Sequence, residues 1–91
     1  METIKGQIKS VYRSAIENKG VEQTAVICGK TMKATASINP FNGEMNIQTS
    51  FSCGNEFHSG SINCNVESVE SWIEMAAKAD TQVYFRNVKE D

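Results

Sequence analysis

The chain holds one proline, one histidine, one tryptophan and three cysteines in 91 residues. Each scarcity removes a class of chemistry. A single histidine leaves little to build a nucleophile–base pair or a His-rich metal site from. Three cysteines are an odd number, a poor disulfide framework, and fit reduced thiols packed as small apolar groups. No run approaches the roughly 18–20 apolar residues a membrane span requires. The start METIKGQIKS lacks the continuous apolar stretch of a secretory signal, so a cytoplasmic address and no membrane partner are expected. A net charge of −2 and a pI near 5.4 supply no broad positive field, which disfavours nucleic acid as a partner. Phosphate loops are missing too. Cys28-Gly29-Lys30-Thr31 echoes only the end of a Walker A pattern and lacks the upstream glycine.

What is present is ordinary globular composition, 40% apolar and 22% charged, enough for one core and one domain over residues 1–91. Ile4, Ile8, Val11, Tyr12, Ala15 and Ile16 recur at helical spacing, and Gly20 supplies a stop. Gln23 to Cys28 reads as a strand. With Gly29-Lys30 as a two-residue turn, Ile27 would pair with Met32 and Ala25 with Ala34.

The stretch Thr31 to Cys53 alternates strictly: Met32, Ala34, Ala36 and Ile38 share one face, Lys33, Thr35, Ser37 and Asn39 the other. Pro40-Phe41-Asn42-Gly43 has turn chemistry, and a four-residue loop pairs Ile38 with Met45, Ala36 with Ile47, Ala34 with Thr49 and Met32 with Phe51. A slip of one residue would turn every apolar side chain outward, so the register is strongly specified. Beyond Cys53, a three-residue turn Gly54-Asn55-Glu56 would bring Phe57 to the core face. Ile62 and Cys64 are then out of phase with it, so Gly60 is the expected bulge in a short, distorted fourth strand.

Asn65 reads as a helix N-cap, with Cys64 packing on Val69 and a buried stripe of Val66, Val69, Ile73, Ala76 and Ala77 ending near Ala79. Thr81 to Asn87 is expected to close the sheet, Val83 and Phe85 inward, before a charged tail Lys89-Glu90-Asp91. The expected fold is therefore α+β in the order α-β-β-β-β-α-β. It would be a two-layer sandwich of an antiparallel sheet, a β-meander plus the C-terminal strand, with both helices on one face.

Candidate sites are few. Cys28, Cys53, His58 and Cys64 supply the ligand types of zinc, but the register separates Cys28 from Cys53 and no CxxC fixes two ligands together, so no metal or cofactor is expected. His58 is expected opposite Ser52 on the outer face, which is read as free of exposed aromatics. Lys5, Lys9 and Arg13 form a basic stripe on the first helix, and Glu67, Glu70 and Glu74 an acidic one on the second. The two would meet if the helices are neighbours. The outer sheet face, Lys33, Thr35, Ser37, Asn46, Gln48 and Ser50 with Asn39, Glu44 and Ser52 beside them, is broad and nearly uncharged. Its short side chains lose little entropy when held, which suits a protein interface or a sheet-to-sheet homodimer.

The segment VESVESWIEMAAKA, following a β-meander, resembles the strand-then-ESW-helix segment of a type I anti-CRISPR protein, and the chain is similar in type to the small acidic inhibitors that phages and mobile elements encode. That resemblance carries no functional residue across. It implies a stoichiometric inhibitor that blocks a host defence complex in the host cytoplasm. The expectation is a non-enzymatic protein-interaction module, using the sheet face (Lys33, Thr35, Ser37, Asn46, Gln48, Ser50) or the acidic stripe (Glu67, Glu70, Glu74). The alternative is a small-molecule or nucleic-acid binding domain acting as a homodimer.

Overall fold

The hairpin expected in the middle of the chain is the middle of the sheet. In the computed structural model, which describes residues 3–86, the elements run α1 (Ile4–Glu17), β1 (Gln23–Ile27), β2 (Lys30–Ile38), β3 (Met45–Cys53), β4 (Glu56–Cys64), a 3-10 turn (Val66–Ser68) and α2 (Val69–Tyr84). The four strands form one antiparallel meander in sequence order. β2 and β3 pair as the alternation requires, Met32 with Phe51, Ala34 with Thr49, Ala36 with Ile47 and Ile38 with Met45. The loop between them is held by its own side chains. Asn39 Oδ1 accepts from the Phe41 N–H at 2.8 Å, Asn42 Oδ1 accepts from the Glu44 N–H at 2.9 Å, and Gly43 takes a positive φ.

The first hairpin differs from expectation by two residues. The turn is Cys28-Gly29, both at positive φ (48° and 83°), so Ile27 pairs with Lys30 and Ala25 with Met32. Two left-handed residues in succession make the type I′ turn whose twist matches a hairpin, and a cysteine gives no sequence sign that it will adopt that conformation. Because the shift is even, Ile27 still faces the core.

β4 is also corrected. The turn is the two-residue Gly54-Asn55, Cys53 pairs with Glu56, and nine residues continue without a bulge, Gly60 lying opposite Thr49. Even-numbered residues face inward throughout, so the odd-numbered Phe57 points out, 66% exposed. The phase change read from the sequence is one apolar residue on the solvent face.

The expected last strand does not form over the described part of its span. α2 runs on through Tyr84, leaving Val83 exposed and Phe85 buried; Asn87 and the tail Lys89-Glu90-Asp91 lie outside the described residues. Ile73, Ala77, Asp80 and Tyr84 fall at offsets 0, 4, 7 and 11, so the helical stripe continues beneath the β-favouring Val-Tyr-Phe run. Among the described residues the order is thus α-β-β-β-β-α.

Both helices cover one face of the sheet. α1 is capped by Thr3, whose hydroxyl accepts from the Gly6 N–H, and lays Ile4, Ile8, Val11, Tyr12 and Ala15 across β1 and β2. α2 lies beside α1, burying Ile73 and Ala77, with Val69 and Ala76 packed on the same core. Met32, Ala34, Ala36, Met45, Ile47 and Phe51 meet them from the sheet. Each large core side chain contributes roughly 1.5–3 kcal/mol through burial. Val66 is exposed in the 3-10 turn, outside the stripe assigned to it. No helix of the described residues is long and apolar enough to cross a membrane.

Candidate functional site

Pairing across four strands turns the outer face into rows. Val26, Thr31, Ser52 and Phe57 make one row, Thr24, Lys33, Ser50 and Ser59 the next, followed by Thr35, Gln48 and Ser61, then Ser37, Asn46 and Asn63. The six sheet residues singled out from sequence thus stand as three cross-strand pairs: Lys33 with Ser50, Thr35 with Gln48 and Ser37 with Asn46. Amides tie the lower rows together. Gln48 Nε2 donates to Asn46 Oδ1 at 2.9 Å, and Asn46 Nδ2 donates to Asn63 Oδ1 at 2.8 Å. Lys33 is the one charged side chain in these rows. The groups offered are hydroxyls and amides, which donate and accept hydrogen bonds but do not shuttle protons at neutral pH.

Two features of this face were not foreseen. Phe57 stands on it, contrary to an outer face free of aromatics. His58 is not on it. It pairs with Phe51 on the inner side and its ring lies 5.1 Å from Tyr84.

The helix stripes meet. Lys5 and Lys9 both pair with Glu74, the latter at 2.5 Å, and Arg13 reaches Glu70 at 3.3 Å. Hydrogen bonds from Lys5 and then Lys9 draw the Glu74 carboxyl down to about 2. Glu70 and Glu74 therefore join α1 to α2, while Glu67, in the 3-10 turn, has no ion pair among the described residues. The same contacts consume the basic stripe that a phosphate backbone would need.

The inner side holds a polar cluster that sequence reasoning passed over. The Tyr12 hydroxyl donates to Asp80 Oδ2 at 2.5 Å. Burial raises the Tyr12 phenol, with the Asp80 charge adding to it, and burial raises the Asp80 carboxyl above its ordinary value. Thr49 completes the group. Its buried hydroxyl faces Tyr12 closely enough to pull that phenol slightly down, yet outside hydrogen-bond geometry, so the oxygen has no partner. These three side chains sit at a cavity of about 110 Å³ between α2 and β4, walled by Phe51, Ile62, Ala76 and Tyr84 and lined by Gly60 on β4. One signal existed: Thr49 is a polar residue at an inward position, between Ile47 and Phe51.

The cysteines do not converge. Cys28 and Cys53 are exposed, and Cys64 is buried, which raises its thiol, with Glu44 adding to the effect. Among the described residues no three of His, Cys, Asp and Glu gather as metal ligands. No family model, curated protein or solved structure matches the chain.

Proposed function

We propose that this chain is a non-enzymatic protein-interaction module that binds through the outer face of its sheet, in the manner of an inhibitor occupying a surface of a host defence complex. The observation that carries the reading is the bare outer face: four strands wide, with one charge, rows of short hydrogen-bonding side chains, and an apolar residue at each end of the Val26–Phe57 row. Its match is a flat, near-neutral protein surface with its own hydroxyls and amides. Lys33 and one aromatic are too little for a nucleic-acid strand, which needs a line of cations with stacked rings. The acidic stripe is the weaker surface, because Glu70 and Glu74 are spent on α1.

The test is capture from lysate of a host with an active defence system, using wild type, Thr35→Lys/Gln48→Lys and Glu67→Lys. Reversal at Glu70 or Glu74 would set like charges against α1, so Glu67 is the clean probe of the stripe. A component of the defence complex should be captured by wild type and by Glu67→Lys, and lost from the double variant. Retention by the double variant rejects the sheet face, and loss confined to Glu67→Lys moves the site to α2. Failure of wild type to retain any defence component rejects the inhibitor reading.

A further inference from the structure

We propose that the cavity between α2 and β4 is a binding site for a small organic cation, an alkylammonium whose head meets Asp80 and whose chain lies against Phe51, Ile62 and Tyr84. This goes beyond the sheet-face reading and lies on the opposite side of the sheet. The donor and acceptor inventory selects the ligand. Asp80 spends one oxygen on the Tyr12 hydroxyl, and carboxylates have lone pairs to spare. Thr49 lines the same wall, its own oxygen buried beyond the reach of a ligand. A ligand that donates from a charged head satisfies the remaining Asp80 oxygen, and an ammonium has three donors.

Charge selects it further. The nearby cations of α1, Lys5, Lys9 and Arg13, are engaged by Glu74 and Glu70, so Asp80 has no ion pair among the described residues. Burial therefore acts on that carboxyl without a compensating charge, and a bound cation supplies one. The aromatic walls, Phe51 and Tyr84 with centroids 4.8 Å apart, favour a cation as well as its alkyl chain. Size sets the limit. A space of about 110 Å³ is smaller than the roughly 150 Å³ that admits benzene, so the ligand is a short chain.

The experiment is an NMR titration of amide shifts with n-butylammonium chloride, with 1-butanol as the neutral isostere and sodium chloride matching ionic strength. Shifts should centre on Thr49, Phe51, Gly60, Ser61 and Asp80, with the ammonium bound about tenfold or more tighter than the alcohol, as expected for hydrogen bonds to a charged group. Asp80→Asn should erase that preference. Gly60→Val should abolish binding of both, since Gly60 lines the cavity and nothing lies within 4 Å of an added Cβ there, so the side chain would fill part of the space. Equal affinity for ammonium and alcohol in wild type overturns the proposal without any variant. So does a preference that survives Asp80→Asn, or binding that survives Gly60→Val. Nα-acetyl-lysinamide in the same titration separates two sources of the same chemistry: tighter binding than butylammonium assigns the site to a lysine side chain of a partner, weaker binding to a free amine.

Discussion

The two faces of one sheet are made by the same strands and do opposite things. Inward, Met32, Ala34, Ala36, Met45, Ile47 and Phe51 are buried against two helices. Outward, the residues between them, Lys33, Thr35, Asn46, Gln48 and Ser50, point away from both helices and stand in the cross-strand rows of the sheet. Stability is concentrated on one side, which leaves the other free for the recognition role proposed above. Thr49 is the exception that sharpens the contrast, a hydroxyl on the apolar side with no partner.

The largest expected effect is on the inner face. Ile47→Ala should destabilise by about 3 kcal/mol, within the range for removing a buried aliphatic side chain, whereas Gln48→Ala next to it should stay within about 0.5 kcal/mol. Urea unfolding midpoints measure both, and similar losses would break the comparison. Thr49→Val should run against the trend. Replacing a buried, unpartnered hydroxyl by a methyl of the same shape should stabilise by about 1 kcal/mol, and a loss of stability would mean that the hydroxyl has a partner in solution.

A smaller gain is expected at the edge of the sheet. Cys28→Asn places the favoured residue at the first left-handed position of the type I′ turn, and thermal unfolding should show a gain below about 1 kcal/mol, since left-handed strain costs about 1–2 kcal/mol for an ordinary residue.

The subtlest contrast is between two carboxylates on α2. Glu74 is depressed in the folded state, so its contribution is complete above its ordinary value of 4.5 and is lost as pH falls through that value toward about 2. Asp80 is raised, so ionising it opposes folding, and acid relieves that cost as pH falls through the raised value toward 3.8. Glu74→Gln should therefore flatten the acid-side fall of the urea midpoint, and Asp80→Asn should steepen the net fall by removing the opposing trend. Identical pH profiles for the two variants would contradict both assignments.

How much of this was legible depended on whether a residue's role is written in its type. The β2–β3 register was, because alternation and the Pro-Phe-Asn-Gly loop agree; helical spacing showed the stripes Lys5, Lys9, Arg13 and Glu70, Glu74, whose meeting depended on the helices lying side by side. The Cys28-Gly29 turn was hidden because cysteine rarely takes a left-handed conformation. Phe57 was misplaced because an aromatic reads as core, and that error alone created the bulge at Gly60. The final helical turns were obscured by the β-favouring Val83, Tyr84 and Phe85, where tertiary packing of Tyr84 and Phe85 on Phe51 overrides propensity. Of the Tyr12–Asp80–Thr49 cluster only the inward Thr49 was visible, since the cluster joins α1, α2 and β3 through contacts that no local pattern encodes.

The most direct measurement of the division between the faces is a single substitution read two ways. For Gln48→Lys, the urea midpoint and the affinity for the partner captured by wild type are determined on the same preparation. The expected result is an unchanged midpoint with affinity reduced about tenfold or more, the cost of an unmatched charge in a near-neutral interface. Unchanged affinity, or a loss of affinity that merely follows a loss of stability, would contradict it.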